Sequence, residues 1–288
     1  MTIAPPAATL TFVGSAYRPG TRHPPHRHDA LHLSLVLGGR VLERVGAVTE
    51  SAGALSVVAK DAGVTHADDF GPAGARMARL GLPGGTLGAL VDVPAGAVGC
   101  AAGWRWTHDP AVAAPFLRLV RRARDASTQG EVGGAIAFSA HDPDLLDLLA
   151  AFTARRAPEP RGRPPAWLAA IVAELRESWH PRLAVADVAR RAGVHPVYLA
   201  RCVRRWYGTG VAEELRRLRL RAAVAATVEA RGPLSAVAHA LGFADEPHYA
   251  RAVRRATGLA PGGLRALVTS LDYQGRGPSF GRPAAGGG

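Results

Sequence analysis

The sequence predicts an α+β protein of two domains, the first a β-sandwich or small barrel with a helical segment and the second all-α. Three observations predict it. Between residues 9 and 82, short runs alternate apolar and polar with period two, as in TLTFV, LHLSLVL, RVLERVG, ALSVVA and RMARLGL. Residues 157–165, APEPRGRPP, make a proline-rich break. Beyond that break, a unit of helical character recurs about fifty residues after its first appearance.

The β runs are short and are punctuated by Gly-Gly, Gly-Pro and Pro-Gly, which suits antiparallel strands joined by tight turns. Helical periodicity takes over from Pro115 to Arg124 and again from Pro143 to Arg156, where Leu145, Leu146, Leu148, Leu149 and Phe152 form one stripe. These two helices serve either dimerisation or packing on the sheet, and the sequence does not separate the two. After Ser270 the run YQGRGPSFGRPAAGGG has too few apolar residues to pack, which predicts a disordered tail.

At 288 residues and 48% apolar content the chain can bury a core in each of two domains. No run of about 20 uncharged apolar residues occurs, and the start lacks the basic and apolar stretches of a secretion signal, so a cytoplasmic protein is expected. Cys100 and Cys202 fit no metal-binding spacing and read as packing residues. The net charge of +12 is uneven: residues 164–270 hold 16 arginines against eight acids, while residues 1–163 hold 17 basic residues against 14 acids. A localised basic excess suits a nucleic-acid binder, since phosphate neutralisation releases counterions. The competing reading is a solvated surface in a protein from a GC-rich genome, which also accounts for Lys60 being the only lysine.

The repeat sharpens the choice. Ala200-Arg201-Cys202-Val203-Arg204-Arg205 recurs as Ala250-Arg251-Ala252-Val253-Arg254-Arg255, and Gly208 recurs as Gly258. Upstream, Val188-Ala189 and Gly193 recur as Val237-Ala238 and Gly242. Each unit reads as a short apolar helix (Val185 to Ala192; Leu234 to Leu241), a glycine turn, and an arginine-bearing helix (Pro196 to Tyr207; Glu246 to Thr257). Proline suits the first turn of the second helix, and Asp245 is the expected cap of the second copy. This is helix-turn-helix grammar. The joining segment Val211 to Val228 contains no Gly or Pro, so one rigid helix of about 27 Å is expected. Major-groove faces lie about 34 Å apart, which favours a pair of recognition helices on DNA.

Over about 100 residues this region resembles the DNA-binding domain of AraC/XylS regulators. The resemblance rests on Asp187-Val188-Ala189, Ala192-Gly193-Val194, Leu218-Arg219-Leu220-Arg221-Ala222, Ala240-Leu241-Gly242-Phe243, and Arg254-Arg255 followed by Gly258 and Pro261. Val203 and Val253 stand where such proteins usually carry phenylalanine. The resemblance implies base-edge contacts from Val197, Ala200 and Arg201 in the first unit and from Glu246, Pro247, His248 and Arg251 in the second. Arg201 and Arg251 can hold guanine bidentately, or else contact phosphate. Glu246 accepts from cytosine N4 or simply favours the helix dipole. Arg204, Arg205, Arg254 and Arg255 are implied phosphate contacts or solvated helix ends, and His239 is a packed or surface residue.

In the N-terminal part, His26, His28, His32 and Ser34 share parity and are expected on one strand face, with Leu31, Leu33, Leu35 and Leu37 opposite. A turn is expected at Gly38-Gly39. This stretch, with His66 downstream, resembles the cupin-like sensor of AraC-type regulators. The resemblance leaves three roles open for His26, His28, His32 and His66: divalent metal ligands, contacts to a small-molecule effector, or structural residues. Trp104 and Trp106 line a pocket or pack the core.

The expected organisation is a sensor at 8–110, a helical dimerisation or packing segment at 111–157, a linker at 158–165, the double helix-turn-helix at 166–270, and a tail at 271–288. The function implied is sequence-specific transcriptional regulation by a homodimer under an unknown effector, with operator DNA and RNA polymerase as partners. No catalytic residue and no firm cofactor are identified, beyond the divalent metal that the histidines allow. The alternative is a metal-dependent cupin enzyme fused to a DNA-binding module.

Overall fold

A computed structural model of the chain describes residues 8–82, 103–126, 135–138, 142–153, 164–177, 179–230 and 232–270. Cys100, linker residues 158–163, the end of the leucine-rich helix at 154–156 and the 271–288 tail lie outside these.

The described residues include eight antiparallel strands, seven of them ahead of the first helix: β1 (Ala8–Tyr17), β2 (Arg22–His26), β3 (Leu31–Val45), β4 (Val48–Gly53), β5 (Val57–Lys60), β6 (His66–Leu82), β7 (Trp104–Thr107) and, after that helix, β8 (Ala135–Phe138). The long pair β3 and β6 is the spine. Their sheet runs β7-β5-β3-β6-β1-β8, and β4 and β2 attach to the other halves of β3 and β6. The runs LHLSLVL and RVLERVG, predicted as separate strands about a turn, are one strand. Gly38-Gly39 is a place where the β3–β6 register shifts, between Val36 and Gly38 and again between Gly39 and Val41. Gly39 has φ of 71°, and a Cβ there would stand 2.0 Å from the Gly74 carbonyl oxygen, so only glycine fits.

The irregularity also moves side chains between faces. Val36 and Val41 pack in one cluster with Phe70, Ala75 and Met77, although simple alternation would oppose them. Leu33, Leu35 and Leu37 lie on the other face, fully buried. His32 and Ser34 are also buried, so this part of β3 has no solvated face.

Helices follow a single 3₁₀ turn (Pro110–Val112). α1 (Ala113–Ala126) covers the predicted Pro115–Arg124, and α2 (Pro143–Thr153) carries the leucine stripe. Both bury that apolar surface inside the chain: Phe116, Leu117, Val120, Leu145 and Leu148 are fully enclosed. Arg118 and Arg122 of α1 pair with Asp144 and Asp142 at the start of α2.

The C-terminal region runs α3 (Ala166–Glu177), α4 (Val185–Arg191), α5 (Pro196–Tyr207), α6 (Val211–Glu229), α7 (Leu234–Ala240), α8 (Glu246–Thr257) and α9 (Pro261–Ser270). Every expected helix is present, and α5 and α8 have the predicted ends. Their boundaries are set locally. Asp245 caps α8 by accepting from the His248 N–H at 2.6 Å. His195 caps α5 through Nδ1, which accepts from the Val197 N–H at 3.3 Å. Gly208 and Gly258 end the two helices in the left-handed conformation, at φ of 68° and 73°. Asp187 reaches back to the Ala184 N–H at 3.0 Å to open α4.

The core divides unevenly. The first unit has its own cluster, with Leu168, Ile171, Val188, Leu199, Val203 and Leu218 among its members. The second unit does not. Tyr249, Val253, Leu264 and Leu267 belong to the same apolar cluster as Leu33, Leu80, Phe116 and Leu148 of the N-terminal part. No helix among the described residues is long and apolar enough to cross a membrane.

Candidate nucleic-acid interface and histidine cluster

The arginines of the repeat are exposed at matching positions of its two copies. Along residues 200–205 the pattern is half-buried, exposed, half-buried, buried, exposed, exposed, and residues 250–255 repeat it position for position. Val203 and Val253 are the buried anchors, while Arg201, Arg204, Arg205, Arg251, Arg254 and Arg255 face solvent. Glu246, Pro247 and His248 are exposed at the start of α8, and His239 is a surface residue. Ala200 is half-buried.

Exposure at the start of α5 is unusual in kind. Val197 and Tyr198 are 60% and 49% exposed, among the few large apolar side chains left in solvent. Sequence reasoning singled out Val197 and missed Tyr198, whose ring stacks on Trp167 with centroids 6.0 Å apart. An exposed apolar pair at a helix N-terminus is what a thymine methyl contact requires. Arg205 also lies over the Trp206 ring at 5.6 Å.

Residues 188–266 match the model of the helix-turn-helix domain family. The C-terminal domain is of the AraC type. Over 98 residues the chain is 32% identical to the HTH-type transcriptional regulator GlxA of Rhizobium meliloti (strain 1021), a match covering 34% of this chain and 30% of GlxA. The chain therefore spans less than a third of that relative's length. A transcriptional regulator with an AraC-type domain from Chromobacterium violaceum is 23% identical, covering 36% of this chain and 93% of its own, with a TM-score of 0.34. ToxT from Vibrio cholerae O395 is 8% identical, covering 91% of this chain and 99% of its own, with a TM-score of 0.35. Such scores are too low to carry an argument about arrangement. Within this domain α4 and α5 form the first helical unit, α7 and α8 the second, and α6 joins them.

The histidines do not lie on one strand as expected. His26 ends β2, His28 is in the connection and His32 opens β3, so the chain turns between them. They nevertheless converge with His66, which pairs with His26 across β2 and β6. Ring centroids are 4.2 Å apart for His26 and His66, 5.1 Å for His26 and His28, 5.2 Å for His28 and His66, and 4.5 Å for His28 and His32. Ligand atoms of His26, His28 and His66 all lie within 4.8 Å of one another, whereas His32 is outside that triad.

Three of the rings are oriented by one device. Nδ1 of His26, His32 and His66 donates to the carbonyl of the residue two positions earlier: Pro24 at 2.9 Å, Ala30 at 3.4 Å and Val64 at 3.0 Å. Because a carbonyl only accepts, the proton sits on Nδ1 and each Nε2 keeps its lone pair. Burial holds the cluster neutral, with His66 drawn down to about 4 and His28 to about 3. Neutral, oriented imidazoles suit a divalent ion.

Sequence reasoning missed three partners. Asp68 Oδ2 lies 3.8 Å from His26 Nε2 and 3.9 Å from His66 Nε2. Burial pushes its carboxyl up, but the His23 hydrogen bond and the nearby Lys60 charge outweigh that and leave it below the usual range. Glu43 is buried and pairs with buried Lys60. Its Oε2 accepts from Trp104 Nε1 at 2.6 Å and Trp106 Nε1 at 2.7 Å. The two tryptophans, expected in a pocket or in packing, thus clamp a carboxylate. The Lys60 charge opposes a bound cation, as does the Arg79 charge felt by His28 and His32.

Proposed function

We propose that the chain is a sequence-specific transcriptional regulator in which the AraC-type domain reads DNA and the N-terminal sheet responds to an effector. The matched exposure of the two arginine-bearing helices carries this reading. Arg201 and Arg251 are proposed base contacts, with Val197, Ala200, Glu246, Pro247 and His248 beside them. Arg204, Arg205, Arg254 and Arg255 are proposed phosphate contacts, since flanking arginines fix register without reading sequence. Operator DNA is the proposed partner, with a homodimer, RNA polymerase and a nucleoid location in the cytoplasm belonging to the same reading.

His26, His28 and His66, with Asp68 beside them, form the proposed sensory centre, and His32 supports it through His28. Its donors would hold a divalent ion or the polar group of a small molecule. The relatives it matches are regulators, and no observation favours the metalloenzyme reading.

The test is occupancy of genomic DNA by tagged wild type beside an Arg201→Ala, Arg251→Ala double variant of confirmed fold. Sharp sites sharing a motif, lost in the variant, support the proposal. Diffuse occupancy that is identical in the variant overturns it.

A further inference from the structure

Among the described residues five large apolar side chains are exposed, and two of them, Val197 and Tyr198, adjoin in the first turn of α5. An exposed valine returns no burial to the fold and forms helix less readily than alanine. Tyr198 is held in place. Its ring stacks on Trp167 of α3, with centroids 6.0 Å apart and planes 25° from parallel, and its hydroxyl is hydrogen-bonded to Cys202 one turn further on. With one face and the hydroxyl engaged, what it leaves for a partner is aromatic carbon.

The second unit differs at this point. The two copies agree in their arginines and buried valines, but the positions fifty residues after Pro196, Val197 and Tyr198 are Glu246, Pro247 and His248. These are exposed, and two of the three are polar. The His248 ring stands edge-on to Phe243, with centroids 5.2 Å apart. One arginine-bearing helix therefore opens on hydrogen-bonding groups and the other on hydrocarbon.

Arg201 follows Val197 by four residues and Tyr198 by three, so both are its neighbours on the helix surface. Arg204 and Arg205 carry the exposed positive charge onward. An apolar patch flanked by cations suits an acidic surface that itself offers an apolar group. On the base edges of the DNA major groove that group is the C5-methyl of a pyrimidine. Thymine and 5-methylcytosine carry it, whereas uracil and unmodified cytosine do not.

We propose that the first unit recognises a pyrimidine C5-methyl group beside the guanine taken by Arg201, with Val197 and Tyr198 closing over the methyl. The second unit reads by hydrogen bonds through Glu246, His248 and Arg251. This rests on the DNA-reading proposal and names the chemistry that one half of the domain selects. It also makes Tyr198, which lies outside the positions the family resemblance assigns, a residue that determines specificity. Because thymine and 5-methylcytosine present the same group, a C–G step in the first half-site becomes readable once its cytosine is methylated. Covalent marking of the DNA is then an input to the regulator in its own right.

The experiment enriches duplexes from a random pool with the full chain and replaces each thymine of the tightest one singly by deoxyuridine, which removes a methyl group and nothing else. At one thymine the replacement is expected to weaken binding about fourfold, the worth of one buried methyl. Cytosine paired with guanine at that place should weaken binding at least as much. Recovery by 5-methylcytosine shows that the methyl alone is read, and recovery by thymine only names thymine as its source. In Val197→Ser and Tyr198→Ala proteins of confirmed fold, the preference for thymine over deoxyuridine should fall from about four to about one. A merely structural loss would weaken both duplexes alike and keep the ratio. The proposal is overturned if the enriched motif holds no thymine that is sensitive to loss of its methyl, or if either variant keeps the wild-type ratio. It is equally overturned if the ratio is flat and Val197→Ser instead lowers the sedimentation mass of the free protein, which would make the patch a contact between copies of the chain. A motif without methyl dependence sinks this inference alone; the absence of any enriched motif sinks the DNA-reading proposal with it.

Discussion

Glu229, the last residue of the rod α6, accepts a hydrogen bond from the backbone N–H of Gly39 in β3 at 2.9 Å. A carboxylate at a helix C-terminus faces the negative end of the helix dipole, so the bond to the sheet offsets a local electrostatic disadvantage. It also fixes the far end of α6 to the irregular segment of β3. A Cβ on Gly38 would lie 2.7 Å from Glu229 Oε1, so glycine at 38 leaves room for the carboxylate.

Glu229→Ala removes the acceptor, and Gly38→Ala forces it aside. Each is expected to destabilise by about 0.5–1.5 kcal/mol, the usual net value of one hydrogen bond. Urea midpoints of the two single variants and the double variant check this. Because both break one contact, the double variant should lose clearly less than the sum of the singles.

Arg251 and Arg254 are three residues apart on α8 and both exposed, yet different roles are assigned to them. Arg251→Ala is expected to relax preference at one base position by about 1–3 kcal/mol, while Arg254→Ala should weaken all sequences alike and lower the salt slope by about 1. Titrations against a selected operator and scrambled duplexes at several salt concentrations separate the two. A uniform loss from Arg251→Ala would return it to the phosphate class.

Lys60→Met leaves Glu43 as a buried carboxylate with only its indole donors. A destabilisation of about 3–5 kcal/mol is expected, and Glu43→Gln added to it should recover a large part, because the uncompensated charge is what costs. Thermal melts of the three proteins decide this. Equal losses in the single and double variants would mean that packing, not charge, sets the value of the pair.

His108 gives the chain a pH response at the boundary between its two parts. Burial leads the causes that hold its pKa below the ordinary 6.5. The unfolded chain then takes up a proton at a higher pH than the folded one, so stability is full above about 6.5 and falls as pH drops towards the folded value, by up to about 1.4 kcal/mol per unit. The buried histidines near Asp68 act in the same direction. Melting temperature should therefore be flat from pH 8 to 7 and decline towards 5, and His108→Gln should make that decline shallower. A separate loss below about 4.5 is expected from Glu50, whose carboxyl is raised by burial but lowered more by its bond to His108.

The helical region was legible because its signals are local. Asp245, Pro196, Gly208 and Gly258 each act within a turn of where they stand, and so α5 and α8 begin and end at the residues expected. The strands were visible as patterns, but their register was not. Gly38-Gly39 looks like a turn in sequence, and only pairing with Ala75 and Arg76 makes it an irregularity within one strand. Glu43 and Asp68 escaped notice for the same reason. No spacing rule joins Glu43 to Trp104 or Asp68 to His26, because those contacts depend on which strands pair: Glu43 faces Asp68 across β3 and β6, and β2 lies beside β6. Convergence of the histidines was foreseen on the wrong ground, with a turn between His26 and His32 where one strand face was expected.

The two arginine-bearing helices rest on different foundations. α5 packs in a cluster of its own, while α8 shares Tyr249 and Val253 with the apolar interior of the sheet and α1. Mechanically, then, the division between the two apolar clusters runs through the helical region itself. It crosses α6, so that α8 is anchored in the N-terminal body and α5 is carried at the other end of a lever. Loosening the sheet is therefore expected to disturb α8 before α5, and the bond from Gly39 to Glu229 ties one end of that lever to the sheet.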